Sequence, residues 1–423
     1  MRSRYRRLIS PQLDDFDHIF ALTLLTLTAT WSGRSEMYRR VEADRGTLVF
    51  ACRSSRLLDN RYKAPSADTV ALIPDRDRAW RQWIHAERRK RLGLMIYLID
   101  CQFAALLQRQ PYISKAETTH IALPCDSKYW EASSSRTWRL MLGPAEVPPS
   151  IYHLPVLSSI LLEGESDDLV SLPPIDSFSR TLYLYILHGY IFEWRQKVSM
   201  LNTTGLSESP LALVPNHMGY GLTDQRRWVL QATGTWLNNY GPSGTLGDSA
   251  APDGATNMLL YHLGRLALSI NFSDLYALAG RSELAQDVRL ATESVCVRLA
   301  ADQACIDHAY QMLEVAFKVQ SDGLSSQCTF EIVVCLFVGG MILWATDHLS
   351  QRPALSETRA RLEQHYAIAD AANADLRSLP QMGGGPATLK SRVRHIVAVL
   401  RSVRSVGFAF VFASVLDKLC ESP

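Results

Sequence analysis

The chain has 423 residues and a formal net charge of +2, with 47% hydrophobic and 20% charged residues. This composition is typical of a folded protein with a large buried core and excludes an intrinsically disordered chain. The small net charge gives no overall signal for nucleic-acid binding, so any basic surface must be local.

Apolar residues recur at helical spacing through most of the chain, and few segments alternate in twos as strands do. The sequence therefore predicts an all-α fold. Seven prolines between residues 114 and 174 restrict that stretch to short helices. Longer helices are predicted at residues 11–31, 34–58, 78–108, 175–199, 257–280, 282–320, 325–350 and 354–377, with a final helix that ends at Cys420.

Two further segments bear on domain organisation and membrane contact. Residues 239–256 are rich in Gly, Ser, Pro and Asp, which predicts a mobile loop between two halves of the chain. The longest uncharged apolar run, residues 332–345, has 14 residues, whereas a membrane-spanning helix needs about 20. We therefore interpret this run as a buried core helix and expect no membrane contact.

The helix predicted at residues 78–108 carries charges in unusual places. Glu87 and Arg91 are four residues apart, so they can pair on one helix face. Asp100 lies in the most apolar part, where an ionised carboxylate is costly without a partner such as a backbone amide or an arginine. The stripe that they interrupt runs through Trp80, Ile84, Glu87, Arg91, Leu94, Leu98, Cys101 and Ala105.

Two basic segments are candidates for phosphate contact. Residues 88–91 are all basic, but four consecutive residues circle a helix and do not form a one-sided surface for a DNA groove. A packed helix is therefore the better interpretation. The four arginines among residues 1–7 would suit phosphate contact or a nuclear-import signal, although alone they are a weak indication.

No residue set in the sequence predicts catalysis, a cofactor or a metal. The eight cysteines include no Cys-x-x-Cys pair, and no Walker loop, Gly-x-Ser-x-Gly or His-Glu-x-x-His motif is present. Cys305 and His308 are three apart but have no second ligand pair nearby, so a zinc site is not expected. The cysteines are not spaced as in a disulfide framework, and several lie inside apolar runs. Both features fit a protein of a reducing compartment.

One enzyme alternative stays open at this point. The acids Asp14, Asp15 and Asp17 in "LDDFDH" resemble the aspartate-rich magnesium motif of all-α terpene cyclases, although their spacing departs from it. A cluster of acids at a helix N-terminus explains them more simply. Aromatic residues of the helix at 175–199 are likewise ambiguous, because they either fill the core, which we favour, or line a pocket. They are Tyr183, Tyr185, Tyr190, Phe192 and Trp194.

The stretch "WRQWIHAERRKRLGLMIYLIDCQFAALLQRQPYISKAETTHIALPCDSKYWEA" resembles the signature segment of the fungal-specific transcription-factor domain, a regulatory domain found beside zinc DNA-binding modules. Later segments at residues 184–194, 261–281 and 335–345 are similar to further helices of that domain, so the resemblance covers most of the chain. The matching signature positions are Trp83, Glu87, Arg88, Arg89, Asp100, Pro111, Leu123, Pro124, Trp130 and Glu131.

The resemblance implies one regulatory domain over residues 1–423 and no catalytic residue. It also implies a nuclear protein with the transcription machinery, a dimer partner or a small-molecule inducer as partners. The cysteine spacing excludes the family's six-cysteine zinc cluster and its paired zinc fingers within this chain, so DNA contact is expected only through a module outside it. A fragment, a shortened gene model and a stand-alone regulatory domain all stay open.

Three functions follow from these observations. The first is regulation of RNA polymerase II transcription of metabolic or biosynthetic genes. The second is a partner without DNA binding that heterodimerises with a full-length factor and modulates it. The third, which the sequence supports least, is an all-α enzyme of secondary metabolism.

Overall fold

The chain folds almost entirely into helices. The computed structural model describes residues 16–59, 76–145, 147–162, 172–203, 216–242, 254–278, 284–301, 303–321, 329–350, 389–403 and 406–421. In these ranges there are 15 α-helices, one short 3-10 helix and no strand, which confirms the all-α prediction. An isolated antiparallel bridge joins Ala122 and Tyr152.

The chain divides into two compact units, Met1–Tyr261 and His262–Pro423. The predicted loop at 239–256 ends shortly before this division, although most of that loop lies outside the described residues. The helices of the first unit are α1 (Phe16–Thr30), α2 (Ser35–Ser54), α3 (Arg76–Leu107), α4 (Ser127–Trp130), α5 (Ser135–Leu142), α6 (His153–Leu162), α7 (Ser177–Thr203) and α8 (Asn216–Tyr240).

Helix α3 is the centre of the first unit. It packs most extensively against α7 and also contacts α1, α2 and α5. Its C-terminal half is buried nearly all round, from Leu92 to Leu106, with Met95 as an exposed exception. The helix ends where Gln108 takes a left-handed conformation with φ 54°, and the Gln108 side-chain amide donates to the carbonyl oxygen of Ala104 at 3.2 Å.

The helices of the second unit surround one apolar helix. They are the end of α9 (Gly254–Ser269), then α10 (Phe272–Tyr276), α11 (Ala285–Ala301), α12 (Gln303–Ser321), α13 (Phe330–Ser350), α14 (Leu389–Ser402) and α15 (Ala409–Glu421). By length and composition Phe330–Asp347 could cross a membrane, but 83% of this segment is buried inside the protein by α10, α11, α12, α14 and α15. The prediction of a buried core helix at 332–345 is confirmed.

Several predicted helices are interrupted in the structure. The helix predicted at 257–280 breaks because the Asn271 side chain caps a new helix by accepting from the Ser273 N–H at 3.1 Å. The final helix breaks before Ala409, next to Gly407, a residue of low helix propensity. Residues 354–377 lie outside the described residues.

Helix α8 was not predicted. Its buried residues Val229, Thr233, Trp236 and Tyr240 recur at spacings of three and four, which is the helical signal that was available in the sequence. Three glycines in the same helix, Gly219, Gly221 and Gly234, weaken that signal, because glycine lowers helix propensity. Packing of this face against α6 and α7 compensates.

Candidate functional site

Helix α3 begins in a cluster of tryptophans. Trp83 is 2% exposed, and its ring centroid lies 5.2 Å from that of Trp138 on α5. Trp80, Tyr129 and Trp130 are partly buried against the same cluster. The cluster therefore joins the first turns of α3 to the short helices α4 and α5.

One turn further along α3, Glu87 holds the chain that follows Pro124. Its carboxylate is 1% exposed and accepts from the Cys125 N–H at 2.9 Å and from Arg91 Nε at 3.0 Å. Arg91 in turn donates to the Cys125 carbonyl oxygen at 2.8 Å. The predicted Glu87–Arg91 pair is confirmed, and together the two side chains bind both polar groups of one residue in a loop. We call this arrangement the Glu87 clamp.

Asp100, three and a half turns further on, holds a second loop. Each of the N–H groups of Tyr112 and Ile113 donates to Asp100 Oδ2 at 2.7 Å, and Arg45 Nη2 lies 2.9 Å from Asp100 Oδ1. Arg45 also donates to the Gln110 carbonyl oxygen at 3.1 Å. We predicted a backbone amide or an arginine as the partner of Asp100, and the structure confirms both kinds of partner. We call this arrangement the Asp100 clamp.

The two clamps share one design. In each, a buried carboxylate of α3 accepts backbone N–H groups next to a proline, while an arginine donates to a carbonyl oxygen of the same loop. Pro111 and Pro124 have no N–H of their own to offer, and a buried loop needs partners for its remaining polar groups. The carboxylates supply those partners, so the spacing of acids on α3 fixes where both loops lie.

A third pair beside the Asp100 clamp was missed by the sequence analysis. Arg53 donates to both carboxylate oxygens of Glu117, at 2.7 and 2.8 Å, and to the Tyr112 carbonyl oxygen at 2.8 Å. Glu117 also closes a capping box with Ser114 at the 3-10 helix Lys115–Thr118. The spacing Ser-x-x-Glu was the available sequence signal for Glu117, whereas nothing local indicated Arg53.

The basic run at residues 88–91 is used within the protein. Arg88 lies 3.0 Å from Asp17 on α1 and stacks on the Phe16 ring, and Arg89 donates to the Ser55 carbonyl oxygen after α2. Lys90 and Arg91 both pair with Glu87. The run therefore ties α3 to α1, α2 and the Glu87 clamp, as expected of a packed helix.

The remaining signature residues occupy the loops that the clamps hold. Leu123 and Pro124 are buried, Pro111 is half-buried, and Trp130 lies beneath Arg91, with 4.8 Å between the guanidinium carbon and the ring centroid. Glu131 is exposed at the end of α4. Five of the ten signature residues thus belong to α3, and four more contact α3 or lie in the loops that the clamps hold. Glu131 does neither. That these residues form the structural signature of the domain stays a prediction.

Electrostatics favour a charged Glu87. Burial alone raises the pKa of this carboxyl group, but the Lys90 ammonium, the Cys125 N–H and Arg91 together lower the pKa below its usual value. For Asp100, burial raises the pKa, and the Ile113 N–H, Arg45 and the Tyr112 N–H oppose this effect without cancelling it. The pKa shifts of the two carboxyl groups therefore have opposite directions, downward for Glu87 and upward for Asp100.

The aromatic residues of α7 form core rather than a pocket. Tyr183 and Tyr185 are fully buried, Phe192 and Trp194 nearly so, and half-buried Tyr190 packs edge-on against Trp228 at 5.1 Å. The favoured interpretation is confirmed for four of the five.

The enzyme alternative finds little support in the described part of the chain. Asp14 and Asp15 lie outside it, and Asp17 is 83% exposed and paired with Arg88. His308 contacts His262, with 3.1 Å between their Nδ1 atoms. Within the described ranges no three His, Cys, Asp or Glu side chains converge as metal ligands would.

Comparison with known proteins finds a family similar to these helices. Residues 3–203, which include α1 to α7, match the family described as "Fungal specific transcription factor domain". The match includes the signature segment on α3 and so confirms the predicted resemblance to this domain over those residues.

Curated relatives have transcription-factor names. The chain is 21% identical to "Transcription factor PfmaH" of Pestalotiopsis fici over 82% of this chain and 36% of the relative. It is 26% identical to the "Nicotinate catabolism cluster-specific transcription factor" of Emericella nidulans over 65% of this chain and 31% of the relative. It is 27% identical to "Transcription factor 1" of Elsinoe fawcettii over 30% of this chain and 13% of the relative. The chain thus spans about a third or less of these relatives, and no solved structure matches it.

Proposed function

We propose that this chain is the regulatory part of a fungal transcription regulator that acts in the nucleus on metabolic or biosynthetic genes. The observation that carries the proposal is the match to the fungal specific transcription factor domain over the helices that contain both clamps. The printed names of the relatives support it, and one of them is specific to a nicotinate catabolism cluster. Those names favour a direct regulator over a modulating partner.

The clamps suggest how such a domain would work. Two loops are held on one helix by polar contacts, and polar contacts can be exchanged for others more readily than a packed apolar core can be rebuilt. A ligand, a dimer partner or the transcription machinery that binds better to one loop arrangement would shift the population toward it. DNA would be contacted by a module outside this chain, and no catalytic step is involved.

A reporter assay tests the proposal without requiring a DNA-binding module in this chain. The 423 residues are fused to an unrelated DNA-binding domain and expressed in a fungal host with a reporter gene carrying its sites. We expect transcription to rise or fall several-fold relative to the DNA-binding domain alone, and a fluorescent fusion of the chain to accumulate in the nucleus. A fusion of unrelated helical protein of equal size is the control. Reporter activity equal to that control, at equal nuclear abundance, would overturn the proposal.

A further inference from the structure

The outer face of the first turns of α3 carries a shallow basic depression. It has a volume of about 460 Å³ and is lined by Arg78, Arg81, Gln82 and His85. These residues follow one another at helical spacings of three and four, so they form a single stripe on the helix. The face lies opposite the tryptophan cluster, which the same turns bury through Trp80 and Trp83.

Among the described residues, little compensates the positive charge of this stripe. Arg78, Gln82 and His85 have no hydrogen-bond or ion-pair partner in the part of the chain that the structure describes. Arg81 lies 4.0 Å from Asp77, and the two side chains are 76% and 57% exposed, so the pair is weak. The contrast with residues 88–91 is informative, because every side chain of that run is already paired or bonded within the protein.

We propose that the depression lined by Arg78, Arg81, Gln82 and His85 binds a small anion, either a phosphate ester or a polycarboxylate. Guanidinium groups bind phosphate and carboxylate oxygens in bidentate fashion, and the Gln82 amide and the His85 ring add further donors. The volume falls in the usual range for small-molecule sites, about 300–1,000 Å³. The inference that this anion is the inducer of a regulator rests on the proposed function. The inference that the depression binds an anion does not.

Charge distribution favours a small anion over a nucleic acid. Arg78 and His85 are seven positions apart on the helix, a rise of about 10 Å, which suits one or two phosphate groups. A DNA backbone needs positive charge that continues along its path, since each phosphate contacted contributes separately. Here exposed Asp77 lies at the edge of the stripe, and the next basic run on α3 is occupied by internal contacts.

Binding at this face has a built-in optical signal. Trp80 and Trp83 lie on the same helical turns as the lining residues; Trp83 packs on Trp138 of the neighbouring helix α5, and Trp80 packs against the same cluster. Because the indoles lie on the opposite face of the helix, their fluorescence would report an anion that shifts these turns of α3 against α5, and calorimetry detects binding without such a shift. The same packing offers a route from the depression to α5, because α3 and α5 meet at the cluster.

The test is a titration of the purified 423-residue chain at constant ionic strength, followed by tryptophan fluorescence and by calorimetry. Separate arms use inorganic phosphate, citrate and a short DNA duplex. The variant Arg78→Gln/Arg81→Gln removes two charges from the stripe. The matched control Lys197→Gln/Arg227→Gln removes two exposed charges from α7 and α8, and circular dichroism checks that both variants stay folded.

We expect phosphate or citrate to bind the wild-type chain, and the stripe variant to bind that anion about tenfold more weakly, as loss of charge-assisted hydrogen bonds predicts. The control should change affinity less than about twofold. Which of the two anions binds more tightly identifies the ligand class. Equal losses in both variants, no binding of either small anion, or binding of the duplex alone would overturn the proposal.

A gain-of-affinity variant provides an independent check. Asp77→Asn removes the acid beside Arg81 and should tighten binding of the same anion about two- to fivefold, by the size of exposed charge pairs. Unchanged or weaker binding in a folded Asp77→Asn chain would count against the site. Failure of these titrations leaves the reporter result untouched, and a silent reporter leaves the titrations untouched, so the two proposals fail separately.

Discussion

The guanidinium group of Arg45 and the carboxylate of Asp100 form an ion pair inside the first unit, with 2.9 Å between Nη2 and Oδ1 and side-chain exposures of 3% and 4%. The Arg45 guanidinium carbon also lies 3.7 Å from the centroid of the Phe103 ring and 4.4 Å from that of Tyr112. Both charges are therefore removed from water and depend on each other. Without Asp100, the only counter-charge left to Arg45 among the described residues is the partly exposed Glu42 at 3.7 Å, and without Arg45, Asp100 keeps only backbone N–H donors.

Asp100→Asn should lower the free energy of unfolding by about 3–5 kcal/mol, the usual cost of breaking a buried ion pair. Urea denaturation at neutral pH measures this change. The double variant Arg45→Met/Asp100→Asn removes both charges and should recover part of the loss, which a double-mutant cycle quantifies. Additive effects of the two single substitutions would show that the pair is not coupled as its geometry indicates.

Glu87 and Glu131 are both signature residues, and the structure separates them. Glu87 is buried with three partners, whereas Glu131 is exposed. Glu87→Gln should lower the unfolding free energy by about 2–4 kcal/mol, because Lys90 and Arg91 lose their counter-charge. Glu131→Gln, the matched control, should stay within about 0.5 kcal/mol of wild type. Similar effects of the two substitutions in urea denaturation would contradict the assignment of Glu87 as the centre of a clamp.

A contact in the site could be predicted from the sequence only when its two residues lie close together along the chain. Glu87 and Arg91 are four residues apart on one helix, so their pairing followed from helix geometry. The need of Asp100 for a partner followed from the cost of burying a charge, but Arg45 could not be identified, because tertiary packing brings together residues 55 apart. The same applies to Arg53, whose partner Glu117 is 64 residues away.

Helix breaks were hard to predict for a related reason. Apolar periodicity continues across Asn271, and only the side-chain cap distinguishes the end of one helix from the start of the next. The all-α class, in contrast, depends on periodicity summed over the whole chain, so local errors of this kind did not affect it.

Two glycines of the first unit should respond to alanine in opposite directions. A Cβ atom on Gly93 of α3 would lie 2.5 Å from the carbonyl oxygen of Leu57, whereas one on Gly46 of α2 meets nothing within 4 Å. Gly93→Ala should therefore destabilise the protein by about 1–3 kcal/mol through overpacking. Gly46→Ala, at an exposed helix position, should stabilise it by about 0.5–1 kcal/mol through helix propensity. Thermal melts of the two variants at one pH give both signs, and a stabilised Gly93→Ala chain would exclude the close approach of α3 to Leu57.

Three buried histidines make the stability of the chain sensitive to acid. Burial lowers the pKa of His153 and of His188 to about 4, and burial with the neighbouring His308 and Arg265 lowers the pKa of His262 to about 3. His188 stays neutral while its Nε2–H donates to the Leu260 carbonyl oxygen at 2.8 Å. In the unfolded chain these groups take up protons near pH 6.5, where the folded chain does not.

The sign of the pH dependence follows from this difference in proton uptake. Below pH 6.5 the unfolded state binds more protons than the folded state, so the unfolding free energy falls as the pH is lowered toward 4 and is fully retained above about 7. Each of these histidines should contribute a loss of about 2 kcal/mol between pH 6.5 and 5.

His188→Gln removes one titrating group, so urea denaturation at pH 7 and pH 5 should show a pH-dependent loss smaller by about that amount, whatever the substitution costs at pH 7. If His188→Gln lost as much stability as wild type between pH 7 and 5, His188 would not be held neutral in the folded chain.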